Sequence, residues 1–444
     1  MKLLLLSLII LPNYFGFVCA QTISERLDTF MTASLRANEF NGVVLVARND
    51  SILLSKGYGW RDMENKIRHD INSIFQVGSV TKTFTATLIL YLHENGKLNI
   101  DDPITKYFPR YKYASKITIK NLLTHTSGIF NYTSHKGYDP IKPFSQQDFW
   151  SIINEMPLEF EPDSKYGYSN TNYFLLGLIS EKVTGKPYEK SIREIIFAKA
   201  GMKHSGFDFA GLTNPYKCIG YSINGNRVHK RSIIPDSSGT YAAGSLYTTI
   251  GDLYLWYKAL SDNLIISQNA FRQAVTAYKG AYGYGWQIDS AYRHIQWEHN
   301  GGIMGFSASF RYLPDQNACA VILRNEDVYP STVSVGILSI LYNIPNYYIP
   351  RLAVIVDTVE LKEYVGKYKL KGPQVFEIEI SIKGGQMYSV ASGGTHDILY
   401  KEKKDFYFLK GYDCQFLFIR NSTGQITGLT GYLGNQSYSY EKLQ

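Results

Sequence analysis

Strand signals stand at the two ends of one long stretch of this sequence, with helical signals between them. That order limits the folds open to it. Near the start, Gly42-Val43-Val44-Leu45-Val46-Ala47 is an unbroken apolar run, Asn49-Asp50 supplies a turn, and residues 51–57 return as a second strand. β signals recur at residues 282–288, 294–299, 305–313 and 318–323. The spacing of apolar residues predicts helices over 22–38, 79–92 and 117–123. Residues 144–211 read as mostly helical, most clearly at 173–183 and 188–199, and further helices are expected over 247–260 and 331–342. Apolar strands have to bury their faces against other elements, so the early hairpin and the late strands are expected to form one antiparallel sheet. The expected fold class is α/β of the α+β type: an antiparallel sheet flanked by helices, a helical lobe beside it, and a cleft between the two.

At 444 residues the chain is long enough for two domains. Residues 346–357 read as the linker, following the prolines Pro345 and Pro350 that punctuate 343–350. Before it lies a domain over 21–345. After it, over 358–444, short alternating strands at 376–382, 387–390, 397–400, 406–409, 415–420 and 426–432 predict a small β-barrel or sandwich with no catalytic constellation.

Residues 1–20 read as a signal peptide: Lys2, an apolar core over 3–11, then Val18-Cys19-Ala20, with cleavage after Ala20. The expected location is periplasmic or secreted. Acylation at Cys19 is the weaker alternative, because Gly16 and Val18 fit that signal poorly. No later segment is long and apolar enough to cross a membrane, so no transmembrane segment is expected in the mature chain. The net charge of +8 is spread out, and the densest basic group, Lys401, Lys403 and Lys404, is interrupted by Glu402. A nucleic-acid partner is not expected. Cys218, Cys319 and Cys414 are too few and too scattered for a disulfide framework, and His125, His135 and His299 lack metal-ligand spacing. Neither metal nor cofactor is expected.

Three short patterns carry chemistry. Ser79-Val80-Thr81-Lys82 opens a predicted helix, where positions i and i+3 share a face. A neutral lysine amine there can take the serine proton, and the free N–H groups of a helix start suit an oxyanion. The same pattern is equally that of a capping serine with a solvated lysine, and Ser439-Tyr440-Glu441-Lys442 repeats the spacing with no supporting context. Tyr168-Ser169-Asn170 precedes a helix: a lysine cation nearby would pull the phenol pKa down and let Tyr168 shuttle a proton, while Asn170 would bond a substrate carbonyl or hold Lys82. Read alone it is also a tyrosine-rich loop with a helix cap. His299-Asn300-Gly301-Gly302 closes a late strand with two glycines, which suit close approach to the main chain. Read alone it is also a plain turn.

Together, in this order, the patterns resemble the serine β-lactamase and penicillin-binding-protein family, in its class C β-lactamase, DD-peptidase and esterase branch. Phe75-Gln76-Val77-Gly78 before Ser79, Leu98-Asn99-Ile100-Asp101-Asp102-Pro103, Leu122-Leu123-Thr124-His125-Thr126-Ser127-Gly128 and Asn172-Tyr173 add to the likeness over roughly residues 22–345. Tyr364-Val365-Gly366-Lys367-Tyr368 resembles the start of the small β domain often appended to such enzymes. The resemblance implies a serine hydrolase in which Ser79 is acylated and Lys82 and Tyr168 share the proton transfers. Either of the two fits as the base. It further implies that Asn170, His299 and Gly301 line the substrate and that the N–H groups of Ser79 and Gly302 form an oxyanion hole. The β-lactamases of the branch usually carry lysine where His299 stands. Histidine is mostly neutral near pH 7, which ranks an esterase or D-amino-acid peptidase ahead of a DD-carboxypeptidase or β-lactamase. The implied partner is a small ester or peptide, with a cell-wall peptide one candidate. An inactive relative that only binds wall peptides is the reading from another class.

Overall fold

The computed structural model describes residues 21–443 apart from 224–228, 329–330, 346–348, 355, 373–375, 392–395, 410–413 and 434–435. The signal-peptide reading of residues 1–20, and part of the proposed linker, lie outside the described residues.

The two ends of the first region meet as expected. Six strands form one sheet in the order Ser51–Tyr58, Gly42–Arg48, Ala318–Arg324, Phe306–Leu313, His294–Ile303, Gln287–Ala291. Val44 pairs with Ile322 and Leu45 with Val321 in antiparallel register. Both strands are buried on both faces, which accounts for their unbroken apolar runs. Val44, Val46, Ala320 and Ile322 pack under the helix Ile23–Arg36 and the Leu338 side of the helix Ser331–Leu341. Val43, Leu45, Val321 and Leu323 face the larger core shared with the helical lobe.

The last pairing on this sheet shapes the site. Strand Gln287–Ala291 pairs with His294 to Glu298 and goes no further, whereas Phe306–Leu313 follows its neighbour to Ile303. The second half of His294–Ile303 is therefore a free sheet edge facing the lobe. Residues 282–286, expected as strand, are instead a bend in which Gly285 takes φ +80°. The reason is contact: a Cβ on Gly285 would lie 2.8 Å from the Lys82 carbonyl oxygen.

Helices differ from expectation in three places. Ser79 lies in a 3₁₀ turn, Gly78–Val80, and the α-helix runs Thr81–Glu94. That helix has no single apolar stripe, since Thr81 to Leu90 and Leu92 are all buried. Its threonines tolerate burial because Thr83 and Thr87 return their hydroxyls to the carbonyls of Val80 and Thr83, while Thr85 gives its own to the Ala242 carbonyl. The helix expected from Tyr247 begins at Ile250, capped by Thr249, because Tyr247 and Thr248 pair with Phe75 and Gln76. A helix with no signal in the apolar spacing, Ser237–Gly244, packs beside the Ser79 helix.

The C-terminal region is a closed antiparallel barrel of eight strands, from Gly366–Leu370 to Gln436–Lys442, in sequence order. Of the two architectures expected, it is the barrel. Those first and last strands, unread in the sequence, pair with each other through Tyr368 and Lys442 to close it. Tyr364, Tyr368, Tyr407 and Phe418 are buried together in its core.

Candidate active site

The 3₁₀ turn at Gly78–Val80 holds Ser79 at the mouth of the cleft. Gly78 takes φ +49°, and a Cβ there would stand 2.7 Å from the Gly302 oxygen. Gly301 is tighter still, since its Cβ would lie 1.9 Å from the Val77 oxygen and 3.2 Å from the Ser79 nitrogen. The two glycines let the free sheet edge press against the turn that carries Ser79. Gly301 is buried beneath that contact, whereas Gly302 is exposed on the pocket side.

Three polar side chains converge. Lys82 Nζ lies 3.0 Å from Ser79 Oγ, and Tyr168 Oη lies 2.9 Å from the same oxygen. Lys82 is one helical turn beyond Ser79 and fully buried (0% exposed), while Tyr168, on the loop before the helix Asn170–Thr184, is 37% exposed. Lys82 Nζ also donates to Asn170 Oδ1 at 2.9 Å and to the Ala243 carbonyl at 2.7 Å. Burial pushes the Lys82 amine well below the usual lysine range, toward its neutral form.

Asn170 is held in one orientation. Its amide Nδ2 donates to Thr133 Oγ1 at 3.1 Å, its backbone N–H donates to Asn131 Oδ1 at 3.1 Å, and Oδ1 is thereby turned to Lys82. Ala243 belongs to the helix Ser237–Gly244, whose path is broken at Tyr241 (φ 38°, ψ −132°). Beyond that strained residue the Ala242 carbonyl accepts from Thr85 and the Ala243 carbonyl from Lys82.

His299 is 1% exposed. Its Nδ1 bonds the Asn300 carbonyl at 2.7 Å, so Nδ1 carries the proton, and Nε2 accepts from Tyr282 Oη at 3.0 Å. Burial lowers its pKa to about 3. The imidazole is neutral and fully engaged inside the protein. Tyr282 is equally buried, and neither ring is among the described residues that line the pocket over Ser79.

The pocket over Ser79 encloses about 70 Å³ and is lined by Tyr132, Thr133, Asn170, Thr240 and Gly302 among others, and none of the described lining residues is charged. The sequence reading joins Ser79, Lys82, Tyr168, Asn170, His299, Gly301 and Gly302; the structure brings Ser79, Lys82, Tyr168, Asn170 and Gly302 together here, while His299 and Gly301 are buried and are not among the described residues that line the pocket. It did not find Thr133, Asn131, the Ala243 carbonyl or Tyr282. The one available signal for the Ala243 helix was Asp236, whose side chain caps it by accepting from the Ser238 N–H.

Comparison with known proteins identifies the family. The β-lactamase family model matches residues 23–340, and that of DUF3471, a domain of unknown function, matches 350–444. PbpX of Bacillus subtilis strain 168, by name a penicillin-binding protein, is 34% identical over 287 residues, or 64% of this chain and 71% of that protein. A teichoic acid D-alanine hydrolase of Staphylococcus aureus strain MRSA252 is 29% identical over 292 residues, covering 63% of this chain and 68% of the relative. Among solved structures, an octameric penicillin-binding protein homologue from Pyrococcus abyssi has TM-score 0.67 at 22% identity and covers 94% of this chain and 99% of that one. At that identity the likeness speaks for the fold. The chain belongs to the β-lactamase family and is a serine hydrolase of that family.

Proposed function

We propose that the protein hydrolyses esters and amides that present no free carboxylate at the Ser79 pocket, through an acyl-enzyme on Ser79. D-alanyl esters and D-amino-acid amides are the substrate class favoured. The observation that carries this is the pair of contacts on Ser79 Oγ, to a buried lysine at 3.0 Å and a half-exposed tyrosine at 2.9 Å. A neutral amine has two N–H bonds and one lone pair. With the two N–H bonds spent on Asn170 Oδ1 and the Ala243 carbonyl, the lone pair is left for the Ser79 hydroxyl.

Ser79 Oγ then attacks the carbonyl carbon as its proton passes to Lys82 Nζ. The N–H groups of Ser79 and Gly302 receive the oxyanion. Tyr168, on the cleft side, gives its phenolic proton to the departing oxygen or nitrogen and is reprotonated from Lys82. In deacylation a water is deprotonated by the same pair and attacks the ester, and Ser79 regains its hydrogen.

The charge pattern supports the choice of substrate. With His299 held near pKa 3 and the described pocket lining uncharged, a substrate carboxylate would meet no cation among the described lining residues. That disfavours penicillins and peptides ending in a free D-alanine. The relative named as a teichoic acid D-alanine hydrolase lends weight to D-alanyl esters. The test compares a short-chain nitrophenyl ester, a D-alanyl ester, a D-Ala-D-Ala peptide and a cephalosporin, with fluorophosphonate labelling of wild type and Ser79→Ala. Labelling of wild type alone, with the two esters turned over fastest, is expected. A cephalosporin outrunning both esters would overturn the substrate reading.

A further inference from the structure

The site holds a second buried histidine that the mechanism does not use. His125 follows Thr124, which caps the short helix Ile119–Leu123; it is 0% exposed and takes φ +56°, a left-handed conformation in which few residues other than glycine sit easily. That turn aims both its main chain and its ring at the loop carrying Tyr168. The His125 carbonyl accepts the Gly167 N–H at 2.9 Å, and its Nδ1 accepts the Ser169 N–H at 3.2 Å. The two residues flanking Tyr168 in sequence are thus both tied to one histidine. Asn172 Nδ2 lies 3.0 Å from the same Nδ1, with the Asn172 oxygen turned away to accept from Ser127 Oγ at 2.5 Å. The imidazole itself lies against the Tyr168 ring, with centroids 4.3 Å apart and planes tilted by 37°.

We infer that His125 is the positioning residue of Tyr168: as a neutral imidazole with an unprotonated Nδ1, it fixes the phenol over Ser79. This rests on the proposed role of Tyr168 as proton carrier. A half-exposed phenol on a loop has to be held within hydrogen-bond reach of the nucleophile, and a misplacement of about 1 Å costs roughly 10²-fold in rate. Two N–H donors converge on Nδ1, so the proton of the neutral ring sits on Nε2, which is buried and makes no hydrogen bond among the described residues. The ionisable groups facing His125 are Lys82, His299, Tyr166, Tyr168, Tyr173 and Tyr282. Burial holds its pKa well below the ordinary histidine value. Protonation of Nδ1 would turn two accepted hydrogen bonds into two clashes of donors, and the clamp would open.

The test is a double-mutant cycle on the full chain with a nitrophenyl ester. His125→Leu should lower kcat about 10²-fold with little change in KM. His125→Asn, whose Oδ1 stands near the position of Nδ1, should recover about tenfold of that loss. In a Tyr168→Phe background His125→Leu should cost less than about threefold, because the residue it positions is already disabled. An equal loss in both backgrounds, or an asparagine variant no better than leucine, would overturn the inference. If Tyr168→Phe turned over at the wild-type rate, the proposed mechanism would fail at Tyr168 instead, a result the cycle separates. Should the leucine variant not fold, histidine ¹⁵N spectra of the wild type decide the matter. A His125 proton on Nε2 from pH 5 to 8 supports the clamp, and a proton on Nδ1 ends it.

Discussion

The sequence contains Ser-x-x-Lys twice, and the two copies have different fates. Ser79 and Lys82 straddle a 3₁₀ turn running into an α-helix, and their polar atoms meet at 3.0 Å inside the cleft. Ser439 and Lys442 lie on the last barrel strand, Gln436–Lys442, where residues three apart project from opposite faces. Ser439 is exposed, and Lys442 turns away to donate to the Glu363 carbonyl at 2.9 Å. Burial lowers the pKa of both lysines. Spacing and a perturbed amine are therefore not enough. What makes one copy a candidate nucleophile is helical geometry together with a second proton carrier, Tyr168, and two carbonyls that take up the amine hydrogens.

The comparison breaks most sharply at the serines. Ser79→Ala is expected to lower kcat by about 10⁵-fold or more and to abolish fluorophosphonate labelling, the scale seen when a nucleophile is removed. Ser439→Ala should leave both within about twofold; a comparable loss there would refute the distinction. Lys82→Ala and Tyr168→Phe should each cost about 10³-fold or more in kcat, and near-normal rates in both would count against the mechanism.

A third variant probes the close approach that the barrel copy lacks. Gly301→Ala places a carbon 1.9 Å from the Val77 oxygen, so the Ser79 turn or the sheet edge has to shift. The expected loss in kcat/KM is about 10²-fold, read beside thermal melting to show that the fold survives.

The smallest effect is on stability against pH. His69 and His299 are pushed down to about 3 by burial, and His125 well below its ordinary value. Below about pH 6.5 the unfolded chain binds protons at these imidazoles while the folded chain does not, so stability falls as pH falls. Between pH 7 and pH 5 His69 and His299 should each remove about 2 kcal/mol. Denaturant melts at the two pH values measure it, and His69→Asn should reduce the difference by one histidine's share. A variant as pH-sensitive as wild type would show that His69 is not held neutral.

Much of the site was legible because its residues announce themselves locally. Ser79 and Lys82 are neighbours on one element, Tyr168 and Asn170 stand two apart before a helix, and Gly301-Gly302 interrupts a strand. The Ala243 carbonyl was not legible, since a main-chain oxygen has no residue identity and the kink at Tyr241 removes the helical periodicity around it. His125 was visible as a residue but silent as to role. Its contacts run to residues 167–172, over forty positions later, and depend on a backbone turn that no spacing reveals.

The amino-acid order alone settled the two central strands with both faces buried and most of the helices, because those choices follow from apolar periodicity over a few residues. It left the helix Ser237–Gly244 and the first and last barrel strands unread. It settled the chemical types present as well. Folding decided what those types are worth: which serine meets an amine, which lysine is kept dry, and which histidine is neutral. Those properties come from burial and from contacts between distant segments. They arise only when the sheet edge, the Ser79 helix and the lobe close on one another.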